Sequence, residues 1–296
     1  MDQCAFFVAG NEIGCLLVHG FTGGPDDLRP LADQLAACGY SVALPLLPGH
    51  GNHNVELGKY RWQAWSAAVH EQLVELRKRC RVIVLIGFSM GGALSLLEMT
   101  RQPPDLLILL APALGLGRHW IDHVQLPLLR ALKYVRPWFY PFAGADFQSP
   151  QVRAQLAAGA PVDADFDDPA VQAMLRRQVR LSTAAIDQFY RLARRADRLG
   201  KQITQPTLIM HGRFDRTIPA SYSIKLYQRL GSADKVLRWW DSDHMLVTGP
   251  EGPAIVAAIM RWLAQQLPVA AARPQGMTPD TSDEAQPASP LTGVRA

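Results

Sequence analysis

Cysteine is scarce in this 296-residue chain, and its placement excludes the usual cysteine-built frameworks. Cys4, Cys15, Cys38 and Cys80 all fall in the first third, mostly inside apolar segments. None forms a C-x-x-C pair, and no downstream histidine cluster completes a zinc pattern. They read as buried free thiols, which fits a reducing compartment, so a cytoplasmic location is expected. The N-terminus lacks a basic segment followed by a long apolar one, so no secretion signal is expected. No uninterrupted apolar run reaches about 18 residues, so no membrane span is expected. A dominant charge is missing as well: 30 Lys and Arg face 26 Asp and Glu, for a net charge of +4. The basic residues are scattered. The pairs Arg176-Arg177 and Arg194-Arg195 read as solvated helix faces, which argues against a nucleic-acid partner. Gly20, Gly23 and Gly24 match neither G-x-G-x-x-G nor a Walker A lysine pattern, so no nucleotide cofactor is expected. His50, His53, His119 and His123 lack acidic partners at ligand spacing, so no metal is expected.

About half of the chain is apolar (48%), ample for a large core. Short apolar runs alternate with helical patterns. Cys4–Val8 and Ile13–Val18 read as two strands of a hairpin around Ala9–Glu12. A helix then runs from the acids at Asp26 and Asp27 to Cys38, where Gly39 stops it. Ser41–Leu44 reads as a strand. Trp65, Val69, Leu73 and Leu76 mark a helix over Trp62–Lys78. Arg81–Ile86 and Leu106–Leu110 read as buried parallel strands. From about residue 113 to 200 no convincing strand is seen. Within that block Leu128, Leu132 and Val135 recur at helical spacing, either docked on the core or forming a lid. The alternation resumes with a strand over Pro206–Met210, a helix near Ser221–Leu230, a strand over Lys235–Trp239 and a helix over Ile255–Leu267. This pattern specifies an α/β fold with a mostly parallel central sheet and helices on both faces. The expected organisation is a core of residues 1–112 and 201–267, a helical cap inserted at 113–200, and a Pro- and Ala-rich disordered tail at 268–296.

Gly87-Phe88-Ser89-Met90-Gly91 carries the chemistry. It reads G-x-S-x-G between an apolar strand and a helix, the context of a nucleophile elbow. A serine hydroxyl needs a histidine base, and the histidine needs a carboxylate. In such folds the chain order is serine, acid, histidine. Only His211 and His244 follow the cap. Asp215 lies just past a strand end, which leaves His244 as the downstream base. Asp241 and Asp243 are rival acids, and His211 reads as a loop prop. Backbone N–H groups must also meet the oxyanion of the tetrahedral intermediate. Met90, after the nucleophile, and Phe21, in the loop His19-Gly20-Phe21, are the candidates.

Taken together, Leu16–Gly23, Pro45–Gly51, Gly87–Gly92, His211–Asp215 and Asp243-His244 resemble the serine α/β-hydrolases. The chain is most similar to bacterial carboxylesterases and monoacylglycerol lipases. The resemblance covers about residues 5–112 and 203–265. It implies Ser89, Asp215 and His244 as nucleophile, acid and base, with Phe21 and Met90 as oxyanion donors. It implies hydrolysis of carboxylic esters. The two-step chemistry needs no cofactor, and the size of the cap, which limits access by bulky glycerides, points to short- to medium-chain acyl esters or monoacylglycerols. The cap is a candidate for transient contact with a lipid surface. The same triad would equally serve a thioesterase, an acyltransferase or a C–C bond hydrolase, and the scaffold could also hold a non-catalytic binding protein.

Overall fold

The computed structural model describes residues 5–51, 56–115, 135–149, 152–153, 156 and 165–272. The apolar runs form the central strands because residues flanked on both faces need no polar alternation. The strands are β1 (Phe6–Val8), β2 (Ile13–Val18), β3 (Ser41–Leu44), β4 (Val82–Phe88), β5 (Leu106–Leu110), β6 (Trp138–Phe139), β7 (Leu181–Ser182), β8 (Thr207–Gly212) and β9 (Lys235–Trp240). Every residue of β4 and β5 is buried. Seven strands pair in the order β1-β3-β2-β4-β5-β8-β9. All neighbours are parallel except β1 and β3.

The described helices are α1 (Arg29–Ala37), α2 (Trp62–Arg77), α3 (Met90–Glu98), α4 (Pro169–Gln178), α5 (Thr183–Ala196), α6 (Ser221–Arg229) and α7 (Gly252–Ala272). The strand period of two sorts side chains between two cores. Leu16, Val18, Leu85, Leu107 and Leu109 meet α2, α3, α5 and α6 on one face. Cys15, Leu17, Val84, Ile86, Ile108 and Leu110 meet α1 and α7 on the other. Cys15 and Cys80 are buried free thiols, whereas Cys38 is exposed. Burial pushes the Cys15 thiol up from its ordinary pKa.

Three expectations change. The opening segment is not a hairpin, because β1 pairs with β3 instead of β2. Parallel β3 already occupies that edge of β2. The 9–12 turn therefore crosses β3, tied by Gly10 N–H to Ser41 Oγ at 2.9 Å and Asn11 N–H to Gly39 O at 2.7 Å. The middle block contains a strand pair, β6 with β7. Its α5 contributes Ala185, Phe189, Leu192 and Ala193 to the same core as α2 and α3. Finally, α7 continues past Leu267 through Pro268 to Ala272. A proline this near a helix end forfeits one backbone bond without stopping the last turn. The tail from residue 273 lies outside the described residues, as does the lid helix expected around Leu128 and Leu132.

Candidate active site

Ser89 links β4 to α3 in a conformation that L residues avoid, with φ 53° and ψ −116°. Its N–H donates to Leu110 O at 2.9 Å, and its carbonyl accepts from Gly92 N–H at 3.0 Å and Ala113 N–H at 2.9 Å. The elbow is thus locked between α3 and the end of β5. Its glycines are required by close approach. A Cβ at Gly92 would lie 2.9 Å from Pro112 Cβ, and one at Gly87 would collide with Ser95 Oγ. Among the described residues, the non-glycine positions with positive φ are Thr22, Ser89 and Ala111. Thr22 lies in the loop leaving β2, and Ala111 follows β5, so backbone strain collects at one sheet edge.

Ser89, Asp215 and His244 follow the carboxyl ends of β4, β8 and β9, the edge where open α/β sheets place their ligands. The structure brings the three together. Ser89 Oγ lies 3.0 Å from His244 Nε2, and His244 Nδ1 lies 2.7 Å from Asp215 Oδ2. The other carboxylate oxygen, Oδ1, accepts Thr217 N–H at 2.8 Å and Ile218 N–H at 2.9 Å. Burial by itself would push the Asp215 carboxyl up. Hydrogen bonds from His211, His244 and Ile218 outweigh that effect and hold it well below the usual carboxylate range. The Phe88 ring packs 5.0 Å from the His244 ring and supports it from the elbow side. The rival acids are engaged elsewhere: Asp241 pairs with Arg213 at 2.7 Å, and Asp243 accepts Met245 N–H at 2.9 Å.

The loop after β2 lies beside the serine. A Cβ at Gly20 would stand 3.3 Å from Ser89 Cβ. Phe21 follows Gly20 in this loop, and buried Met90 opens α3 directly after Ser89. His19 anchors the loop: its Nδ1–H donates to Gly20 O at 2.9 Å, and its Nε2 accepts Leu47 N–H at 3.1 Å. Burial lowers the His19 pKa to about 3 and that of neighbouring His50 to about 4, so both rings stay neutral at pH 7. The Phe21 ring stacks on Phe189 of α5 at 4.9 Å, bringing the middle block to the site.

Of the four histidines considered as metal ligands, His50 packs on His19 and Trp65, while His53, His119 and His123 lie outside the described residues. No group of three or more metal-ligating side chains occurs among the described residues. Nor is any described helix long and apolar enough to cross a membrane.

Sequence reasoning missed three neighbours. His211 Nε2 reaches Asp215 Oδ2 at 3.3 Å. Asp27 Oδ2 accepts Gly24 N–H at 3.3 Å, and burial raises its pKa to about 6. Phe189 carries no local signal, since its role comes from stacking across a long sequence separation. The His211 contact depends on how the turn after β8 closes, which a spacing of four outside a helix does not signal.

The chain is 27% identical over 268 residues to the thermostable monoacylglycerol lipase of Bacillus sp. strain H-257, covering 88% of this chain and 94% of that protein. It is 24% identical over 248 residues to a carboxylesterase of Bacillus subtilis strain 168, covering 82% and 88%. A solved structure from work on LipS and LipT, two metagenome-derived lipolytic enzymes, superposes with a TM-score of 0.69 at 25% identity, covering 89% of this chain and 98% of that one. The monoacylglycerol lipase of Paleococcus ferrophilus shares the fold, with a TM-score of 0.66 at 19% identity over 88% and 98%. The sheet, its crossing helices and these relatives define an α/β-hydrolase fold. Residues 12–250, from β2 through the His244 loop, match the family model described as serine aminopeptidase S33, and the chain belongs to that family.

Proposed function

We propose that this protein hydrolyses carboxylic esters through an acyl-enzyme on Ser89, with His244 as base and Asp215 as acid. The observation that carries the reading is the unbroken contact chain from Ser89 Oγ through both His244 nitrogens to Asp215 Oδ2. A hydroxyl 3.0 Å from an imidazole nitrogen can give up its proton as it attacks a carbonyl carbon. The anionic acid holds the Nδ1–H tautomer and stabilises the imidazolium that forms. The backbone N–H groups of Phe21 and Met90 would receive the oxyanion, each worth about 3 kcal/mol of barrier. His244 then returns the proton to the departing alcohol, and water, activated the same way, releases the acid. These steps use side chains, backbone and water alone.

The favoured substrates are short- to medium-chain esters and monoacylglycerols; that the relatives are named a monoacylglycerol lipase and a carboxylesterase supports the ester and monoacylglycerol classes. We read residues 113–200 as the segment that shapes the acyl site, with Phe189 walling it against Phe21. Val135, Phe139, Tyr140 and Met174 of this segment expose apolar side chains. That exposure supports brief contact with a lipid surface.

The test is a fluorophosphonate probe, followed by kcat/KM over p-nitrophenyl esters, the matching thioesters, monoacylglycerols, triglycerides and aminoacyl p-nitroanilides. Adduct formation at Ser89 and preference for short esters or monoacylglycerols is the expected result. Absence of an adduct would point to a binding protein. Fastest turnover of thioesters, long-chain triglycerides or anilides would replace the substrate assignment.

A further inference from the structure

Behind the acid lies a second imidazole, fully buried at the end of β8. His211 Nε2 is 3.0 Å from Ile218 O and 3.3 Å from Asp215 Oδ2. Both are acceptors, so this nitrogen carries a proton and shares it between them. Its Nδ1 lies 2.8 Å from Ser223 Oγ, a fully buried hydroxyl on α6 placed to donate into that nitrogen. Trp239 of β9 closes the ring edge-on, with centroids 5.9 Å apart. Asp215 Oδ2 therefore faces two imidazole N–H groups, one from His244 and one from His211.

We infer that His211, keyed by Ser223, is a positioning residue that clamps Asp215 Oδ2 and divides its negative charge with His244. The inference rests on the triad reading above. Two consequences separate it from a ring that only props the 212–218 turn. A prop would bind Ile218 O and leave the acid's charge untouched. A clamp also draws charge away from His244, so its removal leaves the imidazolium facing a less shared carboxylate and favours the protonated ring. The hydrogen bond from His211 is the largest of the effects that keep the Asp215 carboxyl low against burial. Asp27, before α1, is a further charged group whose field reaches His244.

The experiment compares wild type with His211→Leu, His211→Gln and Ser223→Ala, each normalised to sites titrated by a fluorophosphonate. For His211→Leu the expected result is a kcat per titrated site reduced about 10- to 100-fold, as for other groups that orient a ligand through one intermediary. KM should stay within about twofold, and the acid limb of the kcat/KM profile should move up by about half a pH unit or more. His211→Gln, which carries an amide N–H near the former Nε2, should recover most of the rate and return the limb towards wild type. Ser223→Ala keeps the ring but frees it, and should show the same displacement in smaller degree. If His211→Leu does not fold, Ser223→Ala decides.

A profile superimposable on wild type at unchanged kcat per site, with lowered thermal stability alone, would overturn the inference. So would a glutamine variant no better than leucine. Failure of wild-type Ser89 to label would sink the triad reading and the inference with it. Normal labelling with an unmoved profile would sink the inference alone.

Discussion

Gly91 and Val18 meet where α3 starts beside the end of β2: a Cβ at position 91 would lie 2.6 Å from the Val18 carbonyl carbon. The neighbour is backbone in a fully paired strand, so it cannot yield cheaply. Gly91→Ala should destabilise the protein by about 1–3 kcal/mol, the usual effect of overpacking. Because the strain falls on the elbow, kcat should drop as well. Thermal unfolding and ester turnover check this; an alanine variant with wild-type values in both would contradict the contact.

Asp215→Asn isolates the role of the acid. The amide can keep the bonds from Thr217 and Ile218 N–H but turns the His244 ring towards the wrong tautomer. The expected loss in kcat is about 10⁴-fold, with the fold retained. Circular dichroism and single-turnover kinetics provide the readout. A loss under tenfold would remove Asp215 from the mechanism.

His19 and His50 make stability depend on acid. Their folded pKa values, about 3 and about 4, lie below the ordinary 6.5. On acidification the unfolded chain therefore takes up protons first. The stability of the neutral rings is present in full above about pH 6.5 and is lost as pH falls towards the folded values. Each ring should contribute a slope of about 1.4 kcal/mol per pH unit inside that window. Denaturant unfolding at several pH values measures the slope, and His50→Gln should reduce it by one proton. An unchanged slope in that variant would show that His50 is protonated in the folded state.

Asp27 works in the opposite direction. Its folded pKa, about 6, lies above the ordinary 3.8, so the folded state holds the proton longer. Stability falls as pH rises between these values and stays lowered above them. Asp27→Asn should therefore raise Tm at pH 8 and leave it unchanged at pH 4. Equal shifts at both pH values would mean that ionisation is not the cause.

The parts legible in the sequence were those encoded locally. The β4 run, the elbow glycines and the helix after them announce themselves within about twenty residues. The selection of Ser89, Asp215 and His244 as candidates followed from the serine, acid, histidine chain order expected of such folds and from the few histidines after the middle block. Pairing between distant strands was harder. Nothing near Phe6–Val8 says that β3 will take the edge of β2 and leave β1 to pair with β3. The packing of α5, which lies in the block expected as a cap, was not legible either: Phe189 and Leu192 join the same cluster as α2 and α3, far away in sequence. Contacts such as His211 to Asp215 depend on where β8 ends and how the next turn closes, a matter of angstroms that residue types do not express.

The unusual dihedrals of Ser89 have one more consequence. A backbone held there stores on the order of 1–3 kcal/mol, and glycine would release most of it. Ser89→Gly should thus outlast the natural protein on heating while losing its hydroxyl. With Ser89 as the proposed nucleophile, endurance and reactivity compete for this single position, and a selection for heat tolerance alone would discard the serine.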